Sequence, residues 1–175
     1  LDYFEDHNFG DVPHKYIMRS GQLAFGTHIK GITKTLEKWK DIYNNADEYI
    51  YEILSEIPGD LFDPLIKKVK SGVKFQYIVS EFASVPQGRK AELKKSGFDK
   101  LIETGLIERK MRKSVKTIIV LNEKEACICF PNINGEADLT EMFYGNDYQF
   151  HEWCIDYFRD CWSDADLFIE SKLKE

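Results

Sequence analysis

Four cysteines are the residues of this sequence best suited to bind a metal or to undergo redox chemistry. Cys127 and Cys129 lie two residues apart in a predicted strand, and Cys154 and Cys161 lie seven apart in a predicted helix, so each pair shares one face of its element. Zinc half-sites favour two to four residues between ligands, and neither pair has that spacing. We therefore interpret the cysteines as small buried apolar residues. The alternative is a metal, haem or redox-sensing role, which stoichiometric metal in purified protein would favour.

The histidines are scattered, and none belongs to a recognisable catalytic triad or zinc motif. They are His7, His14, His28 and His151. The glycines do not form a phosphate-binding loop either, because Gly88 and Gly97 lack the spacing of the Walker and dinucleotide-binding motifs. The residues by themselves therefore predict no cofactor and no metal.

A basic cluster is the strongest candidate for binding an anion; it reads Arg109-Lys110-x-Arg112-Lys113-x-x-Lys116. Alternation along a strand puts Arg109 and Lys113 on one face and Lys110 and Arg112 on the other. We favour a solvated strand edge, because lysines protect such edges from aggregation. The alternative is an anion-binding rim for an effector or for nucleic-acid phosphates.

Charge is unevenly distributed along the 175 residues. Residues 66–116 carry 14 Lys and Arg against 5 Asp and Glu, whereas residues 117–175 carry 4 against 13. This pattern is typical of two surfaces that complement each other in a fold or a dimer, and also of a basic face for an anionic partner. No apolar run approaches the roughly 18 residues of a membrane span, and no signal peptide is visible. We therefore expect no membrane partner and a cytoplasmic location.

The periodicity of apolar residues predicts an α/β fold. Predicted helices cover residues 12–23, 32–45, 60–72, 89–95 and 147–162, and predicted strands cover residues 48–57, 73–79, 106–111, 115–121 and 126–130. The central order of strand, helix and strand is typical of a parallel crossover, and the tight turn after residue 121 predicts a hairpin. We expect a mixed, mostly parallel sheet flanked by helices. Residues 1–45 form an N-terminal helical arm in this interpretation, and residues 46–175 form the main domain.

The last predicted helix is strongly amphipathic. Its apolar residues recur with helical spacing, at Phe150, Trp153, Cys154, Tyr157, Phe158, Cys161 and Trp162. Charged residues occupy the opposite face. The apolar face is expected to pack against the sheet or against a partner subunit, and it can at the same time form an aromatic wall of a ligand cavity.

Three stretches resemble the regulatory domain of archaeal winged-helix transcriptional regulators, and more narrowly the methanogenesis (filamentation) regulatory protein family. They are residues 1–13 (LDYFEDHNFGDVP), residues 17–23 (IMRSGQL) and the closing pattern Phe150-His-Glu-Trp153-x-x-Asp156-x-Phe158-x-x-x-Trp162. The resemblance covers nearly the whole chain. It implies a phospholipase D-like fold, and it implies that a DNA-binding winged-helix domain precedes Leu1 and lies outside this chain.

The resemblance also bears on catalysis. Active phospholipase D domains carry His-x-Lys-x-x-x-x-Asp on a strand that leads into a turn, and the corresponding positions here hold Val115, Thr117 and Asn122. A shift by one residue recovers Lys116 but places Ser114 where His belongs. The imidazole nucleophile and the cation that would stabilise a pentavalent phosphate are both missing from this register, which implies a domain that is not an enzyme.

The degenerate site is predicted to remain as a pocket. Our hypothesis is that a cleft bordered by Tyr77, Lys116 and Tyr144, with Trp153 nearby, binds a small effector and biases the geometry of a dimer.

The predicted function is a non-catalytic, effector-sensing and dimerisation domain of an archaeal transcriptional regulator. A homodimer is expected because a two-fold operator calls for a symmetric protein, and DNA is expected to bind through the winged helix outside this chain. A nucleic-acid or protein interaction module that uses the basic residues 66–116 is the alternative. A hydrolase or nuclease of the phospholipase D type is disfavoured by the missing signature.

Overall fold

The computed structural model describes residues 2–56 and 58–175. The helices are α1 (Tyr3–Asp6), α2 (His14–Ile17), α3 (Ile32–Asn44), α4 (Phe62–Lys70), α5 (Arg89–Ser96), α6 (Phe98–Glu103) and α7 (Tyr148–Asp164). The strands are β1 (Thr27–Lys30), β2 (Tyr49–Glu56), β3 (Lys74–Ser84), β4 (Ile107–Arg112), β5 (Ile118–Asn122), β6 (Ala126–Cys129), β7 (Glu141–Gly145) and β8 (Asp166–Leu167). Short 3₁₀ helices lie at Ser20–Leu23, Gly59–Leu61 and Glu170–Lys172.

The strands form one mixed sheet in the order β1-β7-β6-β5-β2-β3-β4-β8. β2, β3 and β4 are parallel neighbours, with α4 in the first connection and α5 and α6 in the second. The prediction of a mixed α/β sheet flanked by helices is confirmed. Its parallel part is smaller than predicted, because the other strand pairs are antiparallel. β5, β6 and β7 follow one another through connections without a helix, and a parallel pair needs a longer crossover.

Most predicted elements have counterparts at similar positions. The strand predicted over residues 48–57 is β2, although its last predicted residue lies outside the described part of the chain. The helix predicted over residues 12–23 is instead α2 followed by a 3₁₀ turn, and the helix predicted from Asp60 begins at Phe62 after another 3₁₀ turn. No helix among the described residues is both long and apolar enough to cross a membrane.

The first 45 residues, predicted as a helical arm, also contribute a strand. β1 pairs with β7 at one edge of the sheet, and α3 packs over the sheet through the buried residues Trp39, Ile42 and Tyr43. Both strands escaped prediction for the same reason. They are short and only partly buried, so neither carries a clear apolar alternation.

The sheet separates two hydrophobic clusters. The first lies on the side of α3, α4, α5 and α6, and the second lies on the side of α7 and the N-terminal residues. β5 contributes to both, because Ile118 and Val120 face the first cluster while Ile119 and Leu121 face the second. A strand covered on both faces reads as a continuous apolar run in the sequence, as β5 does.

α7 is the predicted amphipathic helix and covers the second cluster. Asp147 caps its start, where the carboxylate accepts a hydrogen bond from the backbone N–H of Phe150 at 3.0 Å. Phe150 and Trp153 are completely buried in the second cluster. Gly145 permits this close packing, because a Cβ at that position would lie 2.3 Å from Cγ of Phe150. The predicted packing role of the apolar face is therefore confirmed.

Candidate ligand-binding site

The first two positions that the sequence resemblance assigns to the phospholipase D signature lie directly before β5 and are sealed from solvent. Val115 is 7% exposed and Thr117 is 2% exposed. Val115 belongs to the second cluster, together with Val12 and Phe130. The Thr117 hydroxyl has no hydrogen-bond partner among the described residues. In the register that the resemblance implies, an aliphatic side chain and an uncharged polar one thus stand where phospholipase D domains carry His and Lys.

Asn122, at the third position, has a structural role that an aspartate would not fill. Its Nδ2 donates to the carbonyl oxygen of Ile42 at 2.8 Å and to Oε2 of Glu125 at 3.1 Å. Its Oδ1 accepts from the backbone N–H groups of Lys124 and Glu125, at 2.8 Å and 2.9 Å. A carboxylate has no proton to donate to a carbonyl oxygen or to another carboxylate, so the amide is needed here.

An N-terminal cover, defined as residues 2–12, lies over this end of β5. The backbone N–H of Asn8 donates to the carbonyl oxygen of Pro131 at 3.1 Å. Gly10, with φ of 55°, passes so close that a Cβ on it would lie 2.6 Å from Cγ of Pro131 and 3.6 Å from Cβ of Lys116. The cover therefore closes the approach to the degenerate site.

His7 anchors the N-terminal cover. Its side chain is 4% exposed, its Nε2 lies 2.7 Å from Oδ2 of Asp138, and its Nδ1 lies 2.7 Å from Oδ1 of Asp6 and 2.9 Å from the carbonyl oxygen of Tyr3. Burial by itself lowers the pKa of His7. The hydrogen bonds to Asp138, Tyr3 and Asp6 outweigh it and raise the pKa above the usual 6.5.

The raised pKa of His7 predicts a pH-dependent contribution to stability. The contribution is complete below pH 6.5, where the unfolded chain is also protonated, and it is lost as the pH rises through the higher pKa of the folded protein. His7→Gln is expected to cost about 2 kcal/mol at pH 6 and less at pH 9, measured by urea unfolding. The exposed His14 offers the control His14→Gln, with a change of less than about 0.5 kcal/mol at both pH values. An equal cost at both pH values would contradict a protonated anchor.

The four residues predicted to border one cleft are not brought together. Tyr77 and Tyr144 lie on the face of the first cluster, whereas Trp153 is buried in the second. β3 and β7 are four strand positions apart, which separates Tyr77 from Tyr144 by roughly 19 Å. Lys116 lies beside the N-terminal cover, before β5. Ligand binding by each of these side chains stays a prediction. The four residues do not line one shared cleft.

Tyr77 instead lines a small cavity between the sheet and the helices α4, α5 and α6. This Tyr77 cavity has a volume of about 50 Å³ and also contacts the polar side chains of Glu52 and Arg89. Most of its wall is apolar and comes from Leu54, Leu61, Leu65, Phe75, Leu93 and Phe98. A few polar groups thus meet in an apolar cavity that is much smaller than the roughly 300–1,000 Å³ of typical small-molecule sites, so it has room for only a few atoms.

Glu52 is a buried carboxyl group at one end of the Tyr77 cavity. It is 1% exposed, and its Oε1 accepts hydrogen bonds from Nε1 of Trp39 at 2.9 Å and from the hydroxyl of Tyr43. Burial raises the pKa of Glu52 from 4.5 to about 7, although the two hydrogen bonds pull it down. Sequence reasoning missed this residue. The available signal was a carboxylate between the apolar residues Tyr51 and Ile53 in the middle of the strand Tyr49–Glu56.

An aromatic groove forms a second, larger cavity beside the N-terminal cover. It has a volume of about 520 Å³. Aromatic side chains make up much of its wall: Tyr3, Phe4, Phe9, His28, Phe130 and Phe143. This volume is in the range of small-molecule sites.

The four cysteines do not come together in one metal-binding site. Cys127 and Cys129 face the first cluster and Cys154 and Cys161 face the second, so the sheet lies between the two pairs. Burial raises the pKa of all four thiols, which disfavours the thiolate form that binds metals. Among the described residues no group of three or more His, Cys, Asp and Glu is arranged to hold a metal ion.

The basic cluster is divided between the two faces of β4, as the alternation predicts. Arg109 pairs with Glu170, while Nζ of Lys110 donates to the carbonyl oxygen of Trp162 at 2.8 Å and lies 4.6 Å from the centre of its ring. The cluster therefore does not form one continuous anion-binding rim.

No protein-family model and no curated protein matches this chain. Solved structures match its fold. The archaeal chromatin protein TrmBL2, whose structure shows a novel mode of DNA binding, is 17% identical with a TM-score of 0.63, and the match covers 82% of this chain and 54% of that one. NucT from Helicobacter pylori is 12% identical with a TM-score of 0.61, and the match covers 82% of this chain and 98% of that one.

Nuc from Salmonella typhimurium, a phospholipase D family member, is 12% identical with a TM-score of 0.58. The match covers 82% of this chain and 98% of that one. The chain thus spans about half the length of the chromatin protein and nearly all of NucT and Nuc. Likeness at such low identity concerns the fold alone. The fold of this chain is phospholipase D-like, as the sequence resemblance implied.

Proposed function

We propose that this chain is the effector-sensing and dimerisation domain of an archaeal transcriptional regulator and that it has no catalytic activity. It acts in the cytoplasm, as a homodimer, and reaches DNA through a winged-helix domain outside this chain. The observation that carries the proposal is the replacement of the phospholipase D signature by Val115, Thr117 and Asn122 within a phospholipase D-like fold.

The chemistry of phosphodiester cleavage supports the non-catalytic part of the proposal. The reaction needs a nucleophile and positive charge at the phosphate. Val115 and Thr117 supply neither, and both are buried. Asn122 is fully engaged in hydrogen bonds to the backbone and to Glu125. A fold that has cavities but no reactive groups at these positions is suited to sense a ligand.

A role in regulation at DNA is supported by two observations. The sequence resembles regulatory domains that follow a winged helix, and the fold matches about half of a chromatin protein that binds DNA. A homodimer suits a two-fold operator. Large apolar side chains that a partner subunit could cover are exposed at Met18, Phe25, Phe82, Tyr148 and Leu167.

Sedimentation and hydrolysis measurements test this proposal. The purified chain is expected to sediment as a dimer and to leave bis(p-nitrophenyl) phosphate intact, and it is expected to show no sequence preference for duplex DNA in a gel shift. A chain that remains monomeric at all concentrations up to about 100 μM would contradict dimerisation. A dissociation constant above about 100 μM corresponds to a small free energy of association. Hydrolysis that disappears in the Lys116→Ala variant would contradict the non-catalytic assignment, whereas hydrolysis that the variant retains comes from a contaminant.

A nucleic-acid interaction module is the second candidate function, and a lysine groove favours it. Lys67 and Lys70 of α4 and Lys95 of α5 line a shallow groove, together with the acidic residues Asp63 and Glu92. If this function is correct, the chain alone shifts DNA, and the double variant Lys67→Ala/Lys95→Ala weakens the shift and lowers its salt dependence. The equally charged double variant Lys15→Ala/Lys30→Ala, outside this groove, is the control.

A further inference from the structure

Two arginines from different elements bind one glutamate of the C-terminal segment. Nη1 of Arg89, at the start of α5, lies 3.0 Å from Oε1 of Glu170. Nη1 of Arg109, on β4, lies 3.2 Å from Oε2 of the same carboxylate. Each oxygen of Glu170 therefore binds one guanidinium group, an arrangement with strong charge-assisted hydrogen bonds.

The two arginines that bind Glu170 lie largely in the interior of the domain. The Arg89 side chain is only 8% exposed, and that of Arg109 is 21% exposed. Tyr77 lies opposite Arg109 in the β3–β4 register and is 4% exposed. Buried cations are costly unless they are paired, so this place in the fold requires an anion.

Within the described part of the chain, the Tyr77 hydroxyl independently lacks a hydrogen-bond acceptor at this place in the fold. It is buried and has no hydrogen-bond partner among the described residues. Burial raises the pKa of Tyr77, although the charges of Arg109 and Arg89 and the approach of the Arg109 guanidinium to the hydroxyl lower it, so the hydroxyl keeps its proton and can donate it. An unpartnered buried donor normally has a functional reason, because leaving it unpaired costs free energy.

The anionic side comes from a more exposed segment. The Glu170 side chain is 40% exposed and belongs to the short 3₁₀ helix Glu170–Lys172. The same segment is held by a 2.7 Å ion pair between Lys172 and Glu81. Glu170 is thus a tethered carboxylate in a site whose cations are fixed, and an external anion could replace it without disturbing the core.

We propose that Arg89, Arg109 and Tyr77 form a binding site for a small organic carboxylate, in which Glu170 is a competing internal occupant. Carboxylate chemistry is favoured because the group bound there is a carboxylate with one oxygen on each guanidinium. The Tyr77 cavity, adjoining Arg89, has apolar walls that suit a short alkyl chain and penalise a second negative charge. The identification of this ligand as the effector of the domain rests on the proposed function. The binding site itself is independent of that function.

Displacement of Glu170 has a structural consequence. Arg109 also packs on the ring of Phe168, with its guanidinium carbon 3.9 Å from the ring centre. β8, which directly follows α7, pairs with β4 just before Phe168. A ligand that takes over the two arginines therefore removes one contact of the segment after α7, while the Lys172–Glu81 ion pair and the buried Leu173 still hold it.

A titration with sodium butyrate tests the site. The ¹⁵N-labelled chain is titrated with butyrate, n-butanol and inorganic phosphate, and chemical shifts of residues around Arg89 and Tyr77 are followed. Glu170→Gln removes the internal competitor and is expected to tighten butyrate binding about tenfold relative to the wild type. Glu81→Gln breaks the Lys172 ion pair of the same segment but leaves Glu170 on the arginines, and is expected to change butyrate affinity less than about twofold.

Two further variants locate the binding in the Glu170→Gln background. Arg109→Gln is expected to abolish butyrate binding, and Tyr77→Phe is expected to weaken it about fivefold through loss of one hydrogen bond. The proposal is overturned if Glu170→Gln binds no more tightly than the wild type or than Glu81→Gln. It is also overturned if phosphate or n-butanol binds at these residues as tightly as butyrate.

This titration is independent of dimerisation and of DNA. Butyrate binding as described, in a chain that is monomeric or hydrolyses phosphodiesters, would overturn the proposed function and support the site. A dimeric, inactive chain without the Glu170→Gln effect would overturn the site and support the proposed function.

Discussion

Trp153→Ala is expected to lower the free energy of unfolding by about 4 kcal/mol, the cost of a large cavity in a closely packed core. Trp153 is completely buried in the second cluster, where its ring stacks on Tyr157 at 5.4 Å. Its Nε1 donates to the carbonyl oxygen of Tyr16 at 3.0 Å, which ties α2 to α7. Urea unfolding followed by circular dichroism measures the loss.

Trp162 provides the matched control for Trp153. It lies on the same helix but is only partly buried, at the edge of the second cluster. Trp162→Ala is expected to cost about 1 kcal/mol, and Trp153→Phe about 2 kcal/mol, because a ring remains but the hydrogen bond to Tyr16 is lost. If Trp153→Ala cost no more than Trp162→Ala, α7 would not be a main packing element of the fold.

The stability of the wild type relative to Glu52→Gln is expected to fall by about 3 kcal/mol between pH 4.5 and pH 7. Burial raises the pKa of Glu52 to about 7 from 4.5, so over this interval the folded protein keeps a proton that the unfolded chain has lost. The stabilisation is complete below pH 4.5 and is lost as the pH rises through 7. Other titrating groups are common to both proteins and cancel in the difference.

Urea unfolding of both proteins at pH 4.5, 5.5, 7 and 8 measures this difference. The indole N–H signal of Trp39 is a second probe, because this group donates to Glu52. Its chemical shift is expected to titrate near pH 7 in the wild type and to stay constant in Glu52→Gln. A stability difference that is independent of pH would show that the pKa of Glu52 is not raised in the folded protein.

Ligand binding by the four residues of the candidate site stays a prediction, but the structure does not bring them together in one cleft. Tyr77 was predicted as a ligand residue and does line a cavity. Glu52 and Arg89 line the same cavity, and Arg89 in turn binds Glu170. These residues are far apart in the sequence. Periodicity describes which face of an element a residue occupies, but it contains no information on which strands are neighbours. Tyr144 and Trp153 were therefore predicted to lie in one cleft with Tyr77. The strand order places Tyr144 far from Tyr77, and Trp153 lies on the opposite side of the sheet.

The sequence by itself determined the features that depend on local pattern. The helical spacing of apolar residues was sufficient for α7, and the continuous apolar run was sufficient for β5. That Val115, Thr117 and Asn122 differ from the His, Lys and Asp expected from the resemblance is likewise visible without a structure.

Only the tertiary structure decided what depends on contacts between distant segments. It placed the short strands β1 and β7 in the sheet, closed the N-terminal cover over Val115 and brought Glu170 onto Arg89 and Arg109. The physical reason is that these contacts are set by the packing of the whole sheet. Burial of the arginines, and hence their need for an anion, arises only when α5, β4 and the C-terminal segment meet.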